Sequence, residues 1–338
     1  MRNMTDLLLA SKPFIRENRT RSWLETAITL TGLILFFSAS FFDLPIVIRI
    51  CCALVCSLFY VRMFIIYHDY QHHAILQSSA VATALMKTFG VFILAPQGIW
   101  KRSHDHHHTH NSKLTIHGIG SYPTISKSRF LKLSRRDQRI YLINRHPLTV
   151  IFGYITLFIY WLNIKSFAES PRKHVDSLLA LVLHFAAGAA IAYYFGMTTF
   201  LIGWVMPFFV AFATGSYLFY CQHNFPGAKF FENEAWDYGF AAISSTSFMV
   251  MNPVLQWFTG NIGYHHVHHL NSRIPFYRLP EVMKNIPELQ TVTKTSWNPI
   301  EVYRCLRLKL WDAEKGEMIT LSQLHASEGE TVGEFSPR

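Results

Sequence analysis

The longest apolar stretch of the chain runs from Ser177 to Ala228, 52 consecutive residues without an Asp, Glu, Lys or Arg. One membrane crossing takes roughly 20 apolar residues, so this stretch is long enough for two helices. Gly196, Met197 and Thr198 interrupt it near its middle. A helix of that length in a soluble protein would need a polar face, and the stretch has none. The pattern predicts a transmembrane hairpin that turns near Gly196.

A second transmembrane hairpin is predicted near the N-terminus. Its helices cover residues 24–42 and 45–67, and Pro45 breaks the helical pattern between them. Arg49 and Arg62 fall inside the second segment. Both lie close enough to a helix end for the guanidinium to extend to the membrane surface, so we expect them to snorkel.

Two further apolar stretches, residues 80–96 and 148–164, are short for a crossing, and the first carries Lys87. We expect both to be interfacial helices. The acidic segment 312–338, which contains Ser and Gly, is expected to be a mobile tail. Since no repeat or linker divides the chain, we predict a single domain over 1–338 with its core at about 24–283. The predicted fold class is an all-α integral membrane protein, with two transmembrane hairpins and interfacial helices.

Charge indicates how these elements are oriented. Only 15% of the residues are charged and half are hydrophobic, while the net charge is +10. A basic chain can bind nucleic acid or face anionic lipid. The hydropathy favours a membrane surface as the partner, and we expect no binding of nucleic acid. Ten Lys and Arg but only two acidic residues lie between Lys101 and His146. The positive-inside rule places this segment, the N-terminus and the region after Lys229 in the cytoplasm, so the protein is expected to be multi-pass.

The chain has 18 histidines, and twelve of them fall in three short windows. Residues at i, i+3 and i+4 of a helix share one face. Eight imidazoles have that spacing and are expected to converge from three helix ends at the cytosolic edge of the apolar segments. They are His68 and His72, then His104, His107 and His108, then His265, His268 and His269.

Converging imidazoles predict a metal site, because neutral imidazole suits Fe, Zn, Cu and Ni. A structural zinc ion takes four ligands and usually prefers thiolates, so eight imidazoles are too many for one ion but suit two. The alternative is the histidine-rich loop of a metal transporter or metal buffer. Such loops are usually single and of low complexity, and transporters place carboxylates inside their spans. Three separate clusters and a hairpin without carboxylates favour a cytosolic cap that holds two metal ions.

At these windows the chain resembles the membrane fatty acid desaturases, which carry three histidine boxes of the forms HxxxH(H), HxxHH and HxxHH. The Δ12/ω-6 type is the most similar. Here the first box is His68-Asp-Tyr-Gln-His72-His73, in which Tyr-Gln stands where that type has Cys-Gly. The flanking motifs that match are Trp100-x-x-Ser103, Gln222-His223, Trp236-Asp237 and Ile274-Pro275.

The resemblance implies an O2-dependent oxidoreductase that places a double bond in a lipid acyl chain at a centre of two iron ions. It assigns metal-ligand roles to the eight imidazoles above and to His223. The carboxylates of Asp69, Asp105 and Asp237 could accept hydrogen bonds from ligand imidazoles and so orient them. The surplus His73, His106, His110 and His266 are expected to be supporting or solvent-facing, and His184 to have a packing role.

The resemblance also implies partners. The sequence has no cysteine cluster for an iron–sulfur centre and no fused haem-binding segment, so a separate ferredoxin or cytochrome b5 is expected to supply electrons. The lack of a fused donor and of a retention signal favours the bacterial inner membrane over the endoplasmic reticulum. A membrane di-iron hydroxylase or ketolase of lipids or carotenoids remains an alternative, because its histidines could be the same.

Overall fold

The computed structural model describes residues 4–114, 122–232 and 235–326. The chain is mostly helical. The α-helices that precede the large apolar stretch are α1 (Met4–Ser11), α2 (Arg19–Ala39), α3 (Ile46–Gln71), α4 (Ala80–Phe92), α5 (Gln97–His110), α6 (Lys127–Lys132), α7 (Arg135–Asn144), α8 (Pro147–Ile151) and α9 (Ser166–Glu169). Those that follow are α10 (Val175–Phe200), α11 (Met206–Cys221), α12 (Tyr238–Ser244), α13 (Pro253–Phe258), α14 (His265–Leu270), α15 (Leu279–Asn285) and α16 (Pro299–Arg307).

Within the described residues, three helical segments are long and apolar enough to cross a membrane. They are Arg19–Ala39, Ile46–Gln71 and Val175–Cys221. Helices α4 and α5 together would make a fourth, but they are bent by 89° at the break between them, as in a broken span or a re-entrant loop. Large apolar side chains on α2 and α10 point outward; Ile34, for example, is 61% exposed and Tyr193 83%. Exposed apolar surface of this extent fits contact with lipid.

Helices α10 and α11 fold back on one another. Gly196 has φ +82°, a left-handed conformation that glycine adopts without a steric penalty. Beyond this break, the Trp204 ring lies only 5.0 Å from the His184 ring. In one straight helix, residues twenty positions apart would be about 30 Å apart. The chain therefore reverses direction near Gly196.

Of the two arginines of α3, Arg62 is buried and does not extend to the membrane surface, whereas Arg49 is only partly buried. Arg62 is only 2% exposed, and its Nη2 lies 2.5 Å from Glu25 Oε2 on α2. Its guanidinium also lies 3.7 Å from the centroid of the Trp257 ring. Arg49 donates from Nε to the carbonyl of Ser40 at 3.0 Å and from Nη2 to Thr199 Oγ1 at 2.7 Å. The expectation of snorkelling is wrong for Arg62, because an acidic partner inside the helix pair compensates its charge.

Residues 148–164 form α8 and a π-helix, Tyr154–Lys165. One side of this segment packs inward, where Phe158 lies 3.9 Å from Phe212 between ring centroids. The other side exposes Ile155 and Ile164. An interfacial position for this segment and for α4 stays a prediction. His184 has the packing role expected of it, with its Nε2 hydrogen-bonded to the Tyr154 hydroxyl.

Two small sheets modify the all-α expectation. Strand β1 (Phe248–Val250) pairs in parallel with β2 (Lys294–Ser296). Strand β3 (Leu308–Asp312) pairs antiparallel with β4 (Glu317–Thr320).

The expectation of a mobile tail from residue 312 is wrong for its first part, because Asp312 ends β3 and residues 317–320 form β4. Ile319 and Leu324 are buried together with Phe130 of α6 and Tyr141 of α7, and this burial of apolar side chains stabilises the segment. Residues 327–338 of the predicted tail lie outside the described residues.

Candidate metal centre

Four helix ends bring nine histidines together. His68 and His72 come from the last turn of α3 and its C-cap, and three more lie on the last two turns of α5. Helix α14 carries another three, and His223 follows two residues after the end of α11. All nine sequence-predicted ligands meet in two groups, in each of which the ligand atoms lie within 4.8 Å of one another.

The first group, which we call the five-histidine cluster, comprises His68, His72, His104, His108 and His268. All five side chains are buried. The Nε2 atoms of His68 and His104 are 2.9 Å apart, those of His104 and His108 are 3.1 Å apart, and those of His108 and His268 are 3.0 Å apart. The cluster draws on all three histidine boxes.

The second group, the four-histidine cluster, comprises His107, His223, His265 and His269. His223 Nε2 lies 3.0 Å from His107 Nε2 and 2.8 Å from His265 Nε2. His265 Nε2 is in turn 3.1 Å from His269 Nε2. His223 is the one partly exposed member of this cluster.

These contacts cannot all be hydrogen bonds. An imidazole nitrogen carries either one proton or one lone pair in the plane of the ring. His104, His108, His223 and His265 each place Nε2 against two other Nε2 atoms. A nitrogen in that position would have to donate and accept at once. Lone pairs that converge on a common point satisfy the geometry, and this is the arrangement of ligands around a metal ion.

Burial favours the neutral, metal-binding form of the imidazoles. It lowers the pKa of His223 to about 3. Burial, followed by neighbouring imidazoles, also lowers the pKa of His265, His268 and His269 well below the ordinary value. The buried Nε2 of His72 has no hydrogen-bond partner among the described residues. An orphaned buried nitrogen is costly, and coordination of a metal would satisfy it.

The three predicted carboxylates have different surroundings. Asp69 is buried, with Oδ1 3.0 Å from His68 Nδ1, and Oδ2 accepts from the backbone N–H of Phe276 at 2.6 Å. A proton on His68 Nδ1 leaves Nε2 free as a ligand.

The carboxylates of Asp105 and Asp237 accept hydrogen bonds from groups other than imidazoles. Asp105 accepts from Lys101 Nζ at 2.5 Å, and Asp237 caps α12 by accepting from the Phe240 backbone N–H at 2.8 Å. The structure therefore supports an orienting role for Asp69 alone.

Sequence reasoning missed two supporting contacts. The carbonyl of Ser245 lies 3.3 Å from His223 Nδ1 and can accept its proton. The Trp100 ring stacks on His104 at 4.5 Å, and Phe64 lies 5.6 Å from Trp100 on the side of the membrane helices. A backbone carbonyl leaves no sequence signal, whereas the spacing of Trp100 and His104, four positions apart on α5, could have indicated the stacking.

The surplus histidines lie outside both clusters. His73 Nδ1 is 2.7 Å from Gln77 Oε1 at the surface. His106 and His110 stack on each other with 4.1 Å between ring centroids. His266 is fully buried, and burial lowers its pKa to about 3. Their supporting or surface positions agree with the expectation from the sequence.

The fatty acid desaturase family model matches residues 44–299, a range that contains all nine clustered histidines. This chain belongs to the fatty acid desaturase family. It is therefore a member of an oxidoreductase family, which argues against the metal transporter or buffer.

The chain is also similar to several named desaturases. It is 31% identical over 305 residues to a fatty acid desaturase of Bacillus subtilis, covering 88% of this chain and 84% of the relative. It is 23% identical over 260 residues to an sn-1 oleoyl-lipid 12-desaturase of Synechocystis, covering 75% and 70%. A chloroplastic omega-6 fatty acid desaturase of Spinacia oleracea is 22% identical over 299 residues, covering 84% and 64%.

Proposed function

We propose that this protein is an O2-dependent fatty acyl desaturase that introduces a double bond at a centre of two iron ions. The observation that carries the proposal is the pair of imidazole clusters in a chain of the desaturase family. One cluster offers five ligand nitrogens and the other offers four. The five-histidine cluster would hold one ion and the four-histidine cluster the other.

The donor set fits iron. All nine donors are imidazole nitrogens, which suit iron as well as zinc, copper and nickel. Five nitrogens exceed the four ligands of an ordinary zinc site. Bound iron would supply the activation of O2 and the oxidising power that removes hydrogen from an unactivated methylene.

The protein's own residues prepare this chemistry. Desaturation takes two hydrogens from adjacent methylenes, and with two external electrons and two protons it reduces one O2 to two waters. Asp69 orients His68, and the carbonyl of Ser245 orients His223, so that both rings present Nε2 to the centre. The Trp100 ring stacks on His104 and would limit the access of water to that ring.

The substrate that we propose is the acyl chain of a membrane lipid. The Synechocystis relative is an oleoyl-lipid 12-desaturase, and the Spinacia relative is an omega-6 desaturase. Helix α3 is long and apolar enough to cross a membrane and carries His68 in its last turn, so the clusters would lie at the end of a membrane helix, where an acyl chain of the bilayer is at hand. Product identity separates this proposal from a hydroxylase or ketolase, which would leave oxygen in the chain.

The electrons require a separate donor, which we propose is a ferredoxin or a cytochrome b5. The positive-inside asymmetry supports a cytoplasmic position for the clusters. It also fits an acidic donor, because complementary charge speeds the encounter. We propose that the protein lies in the bacterial inner membrane rather than in the endoplasmic reticulum.

The test is the fatty acid profile of a host that expresses the protein together with a donor, measured by gas chromatography and mass spectrometry. Derivatisation locates each new double bond. We expect a new unsaturated acid with the intact protein and with His73→Ala, whose ring lies outside both clusters, but not with His268→Ala. A hydroxy or keto acid would move the assignment to the alternative oxidase. An unchanged profile in cells whose purified protein holds two irons would contradict the proposal.

A further inference from the structure

A small cavity of about 50 Å³ adjoins the four-histidine cluster, and His107 and His223 form part of its wall. A water molecule needs roughly 10–15 Å³ of such space, so the cavity has room for a few waters or one small polyatomic ion. Lys113 and Arg145 also line it, whereas none of its described lining residues is acidic.

Arg145 is fully buried, yet every acceptor around it is neutral. Nη1 donates to the Pro123 carbonyl at 2.6 Å and to Thr124 Oγ1 at 2.8 Å. Nη2 donates to Asn224 Oδ1 and, at 3.4 Å each, to the Tyr220 hydroxyl and the Leu308 carbonyl. A buried cation is normally paired with an anion, because burial of an isolated charge costs several kcal/mol.

Among the described residues, the acceptors of Arg145 include no carboxylate, and its buried Nε–H has no acceptor there. The Nε–H is itself buried, so Arg145 contributes an uncompensated positive charge close to the cavity rather than a donor that opens onto it.

A second lysine increases the positive potential. Lys309 is 8% exposed, and its Nζ donates to the backbone carbonyls of Arg145 and Leu306. Burial and the neighbouring Arg145 lower the pKa of Lys309 to about 8. Lys113, which lines the cavity, has its Nζ 4.0 Å from the centroid of the Trp236 ring. Lys113 and Arg145 thus belong to the wall of a cavity that has no acidic residue among its described lining residues, and Lys309 adds a further positive charge next to Arg145 without lining the cavity.

We propose that this cavity is a binding site for a phosphate group, with Lys113 as the cation at its wall and the buried charge of Arg145 adding to its positive potential. Thr124 and Ser112 contribute hydroxyls to the wall. The phosphate is either free inorganic phosphate or the headgroup of a lipid, which share the same chemistry. Because His107 and His223 belong to the wall, a bound phosphate lies directly beside the four-histidine cluster.

Binding of radiolabelled inorganic phosphate to the purified, iron-loaded protein in phosphate-free detergent tests the site by equilibrium dialysis. We expect one saturable site per chain. Lys113→Gln should weaken the affinity about tenfold, since one charged contact is lost, and Lys113→Arg should restore it. Lys229→Gln is the matched control, because this exposed lysine donates to the Gly316 carbonyl and does not line the cavity.

Competition identifies the source of the phosphate. Displacement of the label by phosphatidylglycerol but not by a neutral glycolipid assigns the site to a lipid headgroup, and displacement by neither lipid assigns it to free phosphate. The proposal is overturned if no saturable binding is found or if Lys113→Gln binds like the wild type. Binding that Lys113→Gln retains but a chelator abolishes places the phosphate on the metal and also overturns it. Desaturation is not measured, so the result is independent of the proposed function.

Discussion

The two histidine clusters use the same donor type but differ in their surroundings. The five-histidine cluster is wholly buried, and the carboxylate of Asp69 supports it. The four-histidine cluster contains the partly exposed His223, relies on a backbone carbonyl and borders a cavity. The five-histidine cluster is therefore enclosed by protein, while the four-histidine cluster has one partly exposed member beside a cavity. The comparison indicates that a metal in the four-histidine cluster exchanges more readily with its surroundings.

The largest expected effect comes from removal of one ligand of either cluster. His268→Ala and His223→Ala should each lower product formation by more than about 100-fold, because a lost ligand costs more than a lost outer partner. Iron per purified chain should fall by about half in each. Mass spectrometry of the metal and of the lipid product checks both values, with His73→Ala as control. Full activity in either variant would break the assignment of that cluster.

The next effect concerns the carboxylate that only the five-histidine cluster possesses. Asp69→Asn should weaken iron binding by about 10- to 100-fold at that cluster, since His68 loses the acceptor that sets its tautomer. Asp105→Asn should change iron binding little, because its carboxylate pairs with Lys101 at the surface. Titration with a competing chelator measures both affinities. Equal effects of the two substitutions would remove the distinction between the clusters.

Removal of the metal tests the difference in access between the two clusters in the wild-type protein. A chelator should extract iron in two phases, and the faster phase should belong to the four-histidine cluster, because His223 is partly exposed beside the cavity. The absorbance of the iron–chelator complex follows the release over time. The faster phase should be missing in His223→Ala and retained in His268→Ala. A single phase in the wild-type protein would contradict the difference in access.

The smallest expected effect concerns buried residues beside the four-histidine cluster. Lys309 donates to the Arg145 carbonyl, and Arg145 donates to Asn224, the neighbour of His223. Burial lowers the pKa of Lys309 from 10.5 to about 8. Between these values the unfolded chain binds more protons, so the free energy of unfolding should rise with pH. Lys309→Met should reduce this slope by up to about 1.4 kcal/mol per pH unit.

Thermal unfolding across this pH range measures the slope. Lys229→Met, which removes an exposed lysine, should leave it unchanged. An identical slope in Lys309→Met and the wild type would contradict the lowered pKa.

Much of the site follows from local sequence. The i, i+3 and i+4 spacing on α5 and α14 placed six imidazoles on the inward faces of their helices, because helical geometry is set by the backbone. The 52-residue apolar stretch and Gly196 likewise predicted the reversal between α10 and α11. The burial of Arg62 was not predictable in this way, since its partner Glu25 lies on another helix.

The sequence by itself determined the helical, apolar character of the chain and the three histidine boxes, whose spacing predicted that eight imidazoles converge; His223 was added by the resemblance to the desaturases. Only the tertiary structure decided how those imidazoles divide. His107 and His108 are neighbours on α5, yet they belong to different clusters because their side chains leave the helix about 100° apart. The tertiary structure also decided that Asp69 alone of the three carboxylates reaches an imidazole and that Arg145 is buried beside the cavity. Such contacts join residues far apart in sequence, so packing sets them and no local pattern records them.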